Sequence, residues 1–231
     1  MRKATAYHDA LGDFFAEHAD TSPYNAYTDR PAMLELAGDV SGAGILDVGC
    51  GAGHYAAELA ARGARVVGIE GSDTLLRHAR ARVNGHADLL LHDLEEPFGF
   101  ADDASFDGVL CALAYEHIRN RTQLLREVRR VLRPDGWLLV STTHPTADWL
   151  HFGGSYFSHD WRDLPVGGSG LSIHYQRMPL ETFLGELLTA GFVLEQLVEP
   201  RPIADLRQID EAAYDKLHRK PSFLAVRLRR P

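Results

Sequence analysis

The segment Ile45-Leu46-Asp47-Val48-Gly49-Cys50-Gly51-Ala52-Gly53 constrains this chain more than any other stretch. Its first four residues, apolar apart from Asp47, read as a buried strand. Three glycines follow at alternate positions, and 53–62 then takes up helical spacing until Gly63, a natural helix-ending residue. A strand, a glycine turn and a helix in that order bring backbone up to a ligand with no Cβ in the way, at the carboxyl edge of a parallel sheet. Arg65–Glu70 supplies a second strand that ends on an acid. Glu70 stands 17 positions past Gly53, near the spacing at which such an acid grips a ribose diol. A carboxylate accepts from two hydroxyls at once and repels a 2′-phosphate, so the expected ligand is an adenosine-type molecule with a free diol.

Short apolar runs and helical patterns alternate from about 44 to 143, the signature of consecutive βα units. Ser72 caps a helix with Leu75, Leu76, Ala79 and Val83 at helical spacing, closed by Asn84-Gly85. Strand three covers 87–91 and strand four 106–111. Leu124, Leu125, Val128, Val131 and Leu132 make 120–132 an amphipathic helix. Arg133-Pro134-Asp135-Gly136 is a turn before strand five at 137–142. Residues 144–171 then lose all periodicity, with several aromatics and three glycines among 167–170. A loop this long in a compact domain is usually functional or disordered. Helix resumes at Pro179, in the first helical position, with Leu180, Phe183, Leu184, Leu187 and Leu188 on its buried face. Strands over 192–198 and 223–228 flank a helix at 209–219. The first 43 residues hold a helix at about 5–19, a Ser22-Pro23-Tyr24-Asn25 break and a shorter helix after Pro31. They stand outside the alternation and are expected over the sheet's edge or its binding face. The expected organisation is one α/β domain over 1–231, with a helical cap at 1–43 and a substrate-covering insertion at 144–175.

Two ligand classes fit a glycine turn. A dinucleotide fingerprint wants Gly or Ala at the third site of GxGxxG; counted from Gly49 that site is His54, which is bulky. No Tyr has a Lys four residues on, as one large reductase class requires. Both points weigh against a nicotinamide-dependent reductase. A cofactor-binding module without catalysis is the other alternative.

The stretch 45–53 resembles motif I of the class I S-adenosylmethionine-dependent methyltransferases. Glu70-Gly71-Ser72 is similar to their acid loop after strand two, and His92-Asp93-Leu94 to the loop after strand three. Phe106-Asp107-Gly108-Val109 with Cys111-Ala112-Leu113 resembles their strand-four segment. Leu125-Arg126-Glu127-Val128 and Leu132-Arg133-Pro134-Asp135-Gly136-Trp137-Leu138 resemble the helix, turn and strand of the subgroup acting on small molecules. The resemblance implies a Rossmann-like, seven-stranded and mostly parallel sheet in the order 3-2-1-4-5-7-6, strand seven antiparallel, with helices on both faces. It implies S-adenosylmethionine as cofactor and S-adenosylhomocysteine as product. Gly49, Gly51 and Gly53 would pass under the methionine part. Glu70, with Gly71 and Ser72 beside it, would hold the ribose; Asp93 would meet the adenine amine and Leu94 pack on its ring. Cys111 would supply backbone beside the cofactor. Asp47 either contacts the cofactor or braces the turn, Asp93 either binds or caps, and Cys50 and Cys111 read as small core residues. Tyr24 and Tyr27, in the N-terminal break, are candidate lid residues.

Composition narrows the partners. Lys plus Arg is 24 against 32 Asp plus Glu, a net charge of −8, which argues against nucleic acid. Two cysteines make neither a disulfide framework nor a four-cysteine zinc site. Met1-Arg2-Lys3-Ala4-Thr5 leads into no apolar signal core, and apolar runs are too short to span a membrane, so a cytoplasmic monomer or homodimer is expected. His144, Asp148, His151, His159, Asp160 and His174 fall in or near one loop without tight ligand spacing, so no metal is expected.

The acceptor is less legible. Ala112-Leu113-Ala114-Tyr115 is not the Asn/Asp-Pro-Pro-aromatic sequence of nucleobase and glutamine amino-methyltransferases. Trp149, Phe152, Tyr156, Phe157, Trp161 and Tyr175 form either a satellite core or a wall for an apolar or aromatic small molecule. His144, just after strand five and held extended by Pro145, is either the favoured base or makes a hydrogen bond that fixes the lid. His117, after strand four, is the second candidate, and Tyr24 the third residue expected to contact the acceptor.

Overall fold

The structure, a computed structural model, describes residues 8–166 and 170–231. Gly167, Gly168 and the start of the expected N-terminal helix lie outside them, as does the Met1–Thr5 segment. In chain order the elements are α1 (Asp9–His18), α2 (Arg30–Ala37), β1 (Gly44–Val48), α3 (His54–Ala61), β2 (Arg65–Glu70), α4 (Asp73–Val83), β3 (Asp88–Leu91) and β4 (Phe106–Ala112). They continue with α5 (Arg121–Val131), β5 (Leu132–Thr143), α6 (Pro145–Phe152), β6 (Trp161–Val166), β7 (Leu171–Gln176), α7 (Leu180–Thr189), β8 (Val193–Val198), α8 (Asp205–Ile209), α9 (Glu211–Arg219) and β9 (Phe223–Arg229).

The main sheet has seven strands in the order β3-β2-β1-β4-β5-β9-β8. β1 to β5 run parallel, and β9 lies antiparallel to both β5 and β8. Numbered within this sheet alone, the order is the expected 3-2-1-4-5-7-6. β1 is buried along its whole length because both faces are covered. One face packs on α5 and α7 through Leu124, Leu125, Val128, Phe183 and Leu187. Fully burying side chains of this size contributes about 1.5–3 kcal/mol each. The other face packs on α2 and α3 through Met33, Leu34, Ala56 and Leu59.

Four expectations change. α2 belongs to the helical layer, because Met33, at 0 % exposure, reaches the core beside Ile45 and Leu139. The expected turn at 133–136 is a bulge within β5, tied to Arg230 by paired backbone bonds of 2.8 Å from Asp135 N and to Gly136 O. The aperiodic stretch after β5 contains α6 and an antiparallel hairpin of β6 and β7. Pro165 had masked β6, a position tolerated in a two-stranded ribbon. Finally, Pro179 is the N-cap of α7, one place before its first turn.

Candidate active site

Parallel strands β1, β2, β4 and β5 all point their carboxyl ends at one edge, and the glycine turn closes that edge. Gly49 N and Cys50 N both donate to Ile69 O, at 2.9 and 3.0 Å. Gly49, Gly51 and Gly53 have φ of 72°, 55° and 81°, values that disfavour any side chain. Their surroundings differ. A Cβ on Gly49 would stand 2.7 Å from Ala114 Cβ, and one on Gly53 would stand 2.9 Å from Ala79 Cα. A Cβ on Gly51 would find nothing nearer than Phe15 at 3.9 Å. Gly53 therefore serves packing of α3 on α4, Gly49 serves the approach of the strand-four loop, and Gly51 leaves open space.

Glu70 closes the other side of that space. Its carboxylate accepts from Gly51 N at 3.0 Å and Ser72 N at 2.8 Å, one bond to each oxygen. Burial raises its pKa, and the N–H groups of Ser72, Gly51 and Gly71 oppose the rise. Each oxygen keeps a lone pair for a ligand hydroxyl. Ser72 also caps α4, accepting from Leu75 N at 3.2 Å. Asp47 is 1 % exposed, its Oδ2 has no partner, and burial reinforced by Glu70 pushes it up to about 7. Leu94 reaches the turn: its Cδ1 lies 3.5 Å from the Cβ position of Gly49. Asp93 is exposed and accepts from Glu95 N at 3.0 Å. Cys50 packs over Gly68, and burial pushes both thiols, Cys50 and Cys111, upward, so neither is a nucleophile at neutral pH. Leu113, at φ 51°, is a strained residue where β4 meets the turn.

The N-terminal elements pack beside the glycine turn and α4. Phe15 of α1 packs with Ala52 and Leu75. Asp20, just past α1, accepts from both nitrogens of the Arg82 fork at 3.0 and 2.8 Å and meets His54 Nε2 at 2.9 Å. Asp13 pairs with His78 at 2.7 Å. A π-turn over Asn25–Asp29 follows, the i to i+5 geometry that often marks functional sites. It turns Asp29 inward, where Oδ2 accepts from Tyr55 OH at 2.5 Å.

Of the acceptor-side residues, His144 is 9 % exposed and caps α6. Its Nδ1 accepts from Thr146 N at 3.1 Å, which leaves the proton on Nε2 for Glu199 at 3.0 Å. Both ring nitrogens are thereby engaged in bracing the strand end. His117 donates Nδ1–H to His174 O at 2.9 Å, tying the turn after β4 to β7, and burial pushes it down to about 4. Tyr24 is 38 % exposed and accepts from Lys216 Nζ at 2.8 Å, beside Phe223 at the start of β9. Tyr27 meets Ile203 through its carbonyl at 2.9 Å. The aromatics divide. Tyr175 is buried against half-buried Phe152, whereas Trp149 and Phe157 face outward at 41 and 69 % exposure.

Sequence reasoning missed a buried acid group in the same region. Glu116 sits in the turn after β4, Asp29 in the π-turn and Asp148 in α6, at 4, 1 and 6 % exposure. Glu116 repels each of the other two. Asp148 accepts from Tyr175 OH at 2.6 Å. The one sequence signal was a charged residue four positions after an apolar strand, at Glu116. Among the described residues no group of three or more metal-binding side chains occurs.

The cleft's architecture recurs in known proteins. Residues 46–140 match the model of a family described as a methyltransferase domain. The ubiquinone biosynthesis O-methyltransferase of Neisseria meningitidis is 32 % identical over 179 residues, covering 71 % of this chain and 73 % of that protein. This chain is a methyltransferase. The malonyl-[acyl-carrier protein] O-methyltransferase of Erwinia pyrifoliae is 35 % identical over 140 residues, covering 58 % of this chain and 52 % of its own. The S-adenosylmethionine-dependent methyltransferase structure from Mesorhizobium loti superposes with a TM-score of 0.70 at 24 % identity, covering 92 % of this chain and 100 % of that one. The methyltransferase thus has the class I fold, and its sheet carries the strand order of that fold.

Proposed function

We infer that this methyltransferase takes S-adenosylmethionine in the glycine-turn cleft and methylates a small molecule held over the ends of β4 and β5. The observation that carries the reading is Glu70: a buried carboxylate, anchored by Gly51 and Ser72, beside the one turn glycine with open space. Glu70 would hold the ribose hydroxyls, flanked by Gly71 and Ser72. Leu94 and Asp93 would take the adenine, and Gly49 to Gly53 with Asp47 the methionine part, next to Cys111. The unpartnered Oδ2 of Asp47 fits a ligand ammonium. When bound, the cofactor supplies an electrophilic methyl group: the bond to the acceptor forms as the carbon–sulfur bond breaks, and that electron pair stays on sulfur.

The protein's part is alignment and exclusion of water, which can contribute about 7–11 kcal/mol to lowering the barrier. The cap at 1–43 and the segment 144–175 would close the cleft, with Tyr24 and Tyr27 as lid residues. His144 and His117 would border the acceptor, His144 by holding the strand mouth. Half-buried Phe152 and buried Tyr175 suit an apolar or aromatic acceptor. The relatives' names are those of O-methyltransferases, one of ubiquinone biosynthesis and one acting on malonyl-[acyl-carrier protein]. A net charge of −8, and no described helix long and apolar enough to cross a membrane, suit a cytoplasmic monomer or homodimer working without nucleic acid.

Thermal denaturation with S-adenosylhomocysteine, NAD and NADP tests the reading. A ligand at 100 times its dissociation constant adds about 2.7 kcal/mol of stability. S-adenosylhomocysteine alone should raise the melting temperature. A shift with either nicotinamide cofactor instead would favour the reductase reading.

A further inference from the structure

Two of the three buried acids, Asp29 and Asp148, lie outside residues 46–140, the segment matched by the family. They stand in the parts of the chain around that segment, and such folds change substrate by changing what surrounds a common core. Each is tied to the sheet edge that carries the glycine turn. Asp29 is bonded to Tyr55 in the first turn after Gly53. Ala114, two residues before Glu116, abuts Gly49. Asp148 lies in the helix leaving β5, on the same sheet edge.

The charges do not balance. Arg30 acts on Asp29 and Arg177 on Asp148. Among the described residues no ion pair reaches Glu116. One oxygen of Glu116 is weakly held, by Thr143 N at 3.4 Å and Thr143 Oγ1 at 3.5 Å. Its Oε2 is buried with no hydrogen-bond partner at full bonding distance, although the Thr142 hydroxyl faces the carboxyl, and Asp29 Oδ1, which faces Ser141, shares that condition. The Nε of Arg177, a side chain only 3 % exposed, is likewise buried without a partner. Buried polar atoms in native proteins are nearly always satisfied, so the two orphaned carboxylate oxygens call for a donor.

We propose that Glu116 Oε2 receives the acceptor's nucleophile, and that this nucleophile is an aliphatic amine, arriving protonated and giving its proton to Glu116. The proposal rests on the methyltransferase cleft described above and names the acceptor class of that same site. Burial pushes Glu116 up to about 7, so protonated and ionised forms are both populated near neutral pH. An arriving ammonium supplies the missing positive charge and lets the carboxyl release its own proton to solvent and ionise, which a neutral alcohol does not; the carboxylate so formed is the proton acceptor. Carboxylate or phosphate acceptors would meet three acids and are disfavoured. In the step itself one N–H bond breaks and an O–H bond forms on Glu116. The nitrogen keeps the electron pair and becomes neutral and nucleophilic. A carboxyl titrating near neutral pH suits that exchange.

The test uses phenethylamine, 2-phenylethanol and 3-phenylpropanoate, one scaffold with three head groups, titrated by calorimetry into protein saturated with S-adenosylhomocysteine. The amine should bind roughly tenfold or more tighter than either other probe, the scale of one hydrogen bond to a charged group. Glu116→Gln should erase that preference and leave S-adenosylhomocysteine affinity unchanged. Equal or tighter binding of the alcohol or the acid, binding of none, or undiminished amine binding by Glu116→Gln would overturn the proposal. The wild-type series decides alone should the variant not fold. If S-adenosylhomocysteine itself fails to bind the wild type, the cleft reading falls first and the amine proposal with it.

Discussion

Gly53 at the head of α3 lies so close to Ala79 of α4 that a Cβ on Gly53 would stand 2.9 Å from Ala79 Cα and 3.0 Å from Ala79 Cβ. Its φ of 81° is also one that side chains rarely adopt. Gly53→Ala should therefore lose about 2–4 kcal/mol, combining backbone strain with overpacking. Gly51→Ala, with open space around it, should lose only about 1 kcal/mol of stability but weaken cofactor binding. Urea unfolding of both variants checks the contrast; equal losses would show that the two glycines do the same work.

The acids behind the turn make stability depend on pH. A carboxyl raised on folding holds its proton more tightly in the folded state. It contributes stability that is full below the ordinary carboxylate range and is lost as pH rises through the folded value. Glu116, at about 7 and facing Asp29, Asp148, Thr142, Thr143, Tyr175 and Cys111, is such a group. Histidines pushed down to about 4, His54 and His117, work in the opposite direction at lower pH. Against Glu116→Gln, the wild type should thus lose stability between about pH 5.5 and 8, by at most about 1.4 kcal/mol per unit. Parallel unfolding curves at the two pH values would remove Glu116 from this role.

α1 is fastened to the cleft by Asp20 on Arg82 and His54, and by Asp13 on His78. Exposed ion pairs contribute little singly, about 0.2–1 kcal/mol. Asp13→Asn with Asp20→Asn should therefore leave global stability nearly unchanged while loosening α1. Limited proteolysis should cut near α1 faster in the double variant, with cofactor protecting less than in the wild type. Unchanged cleavage would show that Phe15 packing alone holds the helix.

His144 gives the sharpest division between bracing and catalysis. With Nδ1 accepting from Thr146 and Nε2–H directed at Glu199, its loss should lower the melting temperature and turnover together. A base would instead show about a 10²–10⁴-fold loss of turnover with stability intact. Turnover and unfolding measured on His144→Ala decide which.

The regular part of this fold was legible because local and global signals agree there. Ser72 caps where Ser should cap, Glu70 ends a strand whose register the apolar pattern sets, and α5 shows its buried face in Leu124, Leu125 and Val128. The segment after β5 was not legible. Leu171, Ile173 and Tyr175 do alternate, but over six residues beside Pro165 and a glycine run, too short a signal to stand against the loop composition. The acid group was hidden for a different reason. Asp29, Glu116 and Asp148 are far apart in sequence, and only the convergence of β4, β5 and the π-turn makes them neighbours. The hydrogen-bond partners of His144 were similarly hidden, since Thr146 and Glu199 reach it only when α6 and the chain past β8 come together.

The central claim is that Glu70 and the glycine turn hold S-adenosylmethionine. Glu70 accepts from Gly51 N and Ser72 N, so removing it also leaves the buried Ser72 N–H and the part-buried Gly51 N–H without that partner. Hydrogen bonds to a charged group contribute about 1.5–3 kcal/mol each. Calorimetric titration of S-adenosylmethionine into the wild type and Glu70→Ala, with folding confirmed by circular dichroism, tests this directly. The account predicts one site per chain in the wild type and an affinity weaker by at least about tenfold in the folded variant. No binding by the wild type, or undiminished binding by Glu70→Ala, would contradict it.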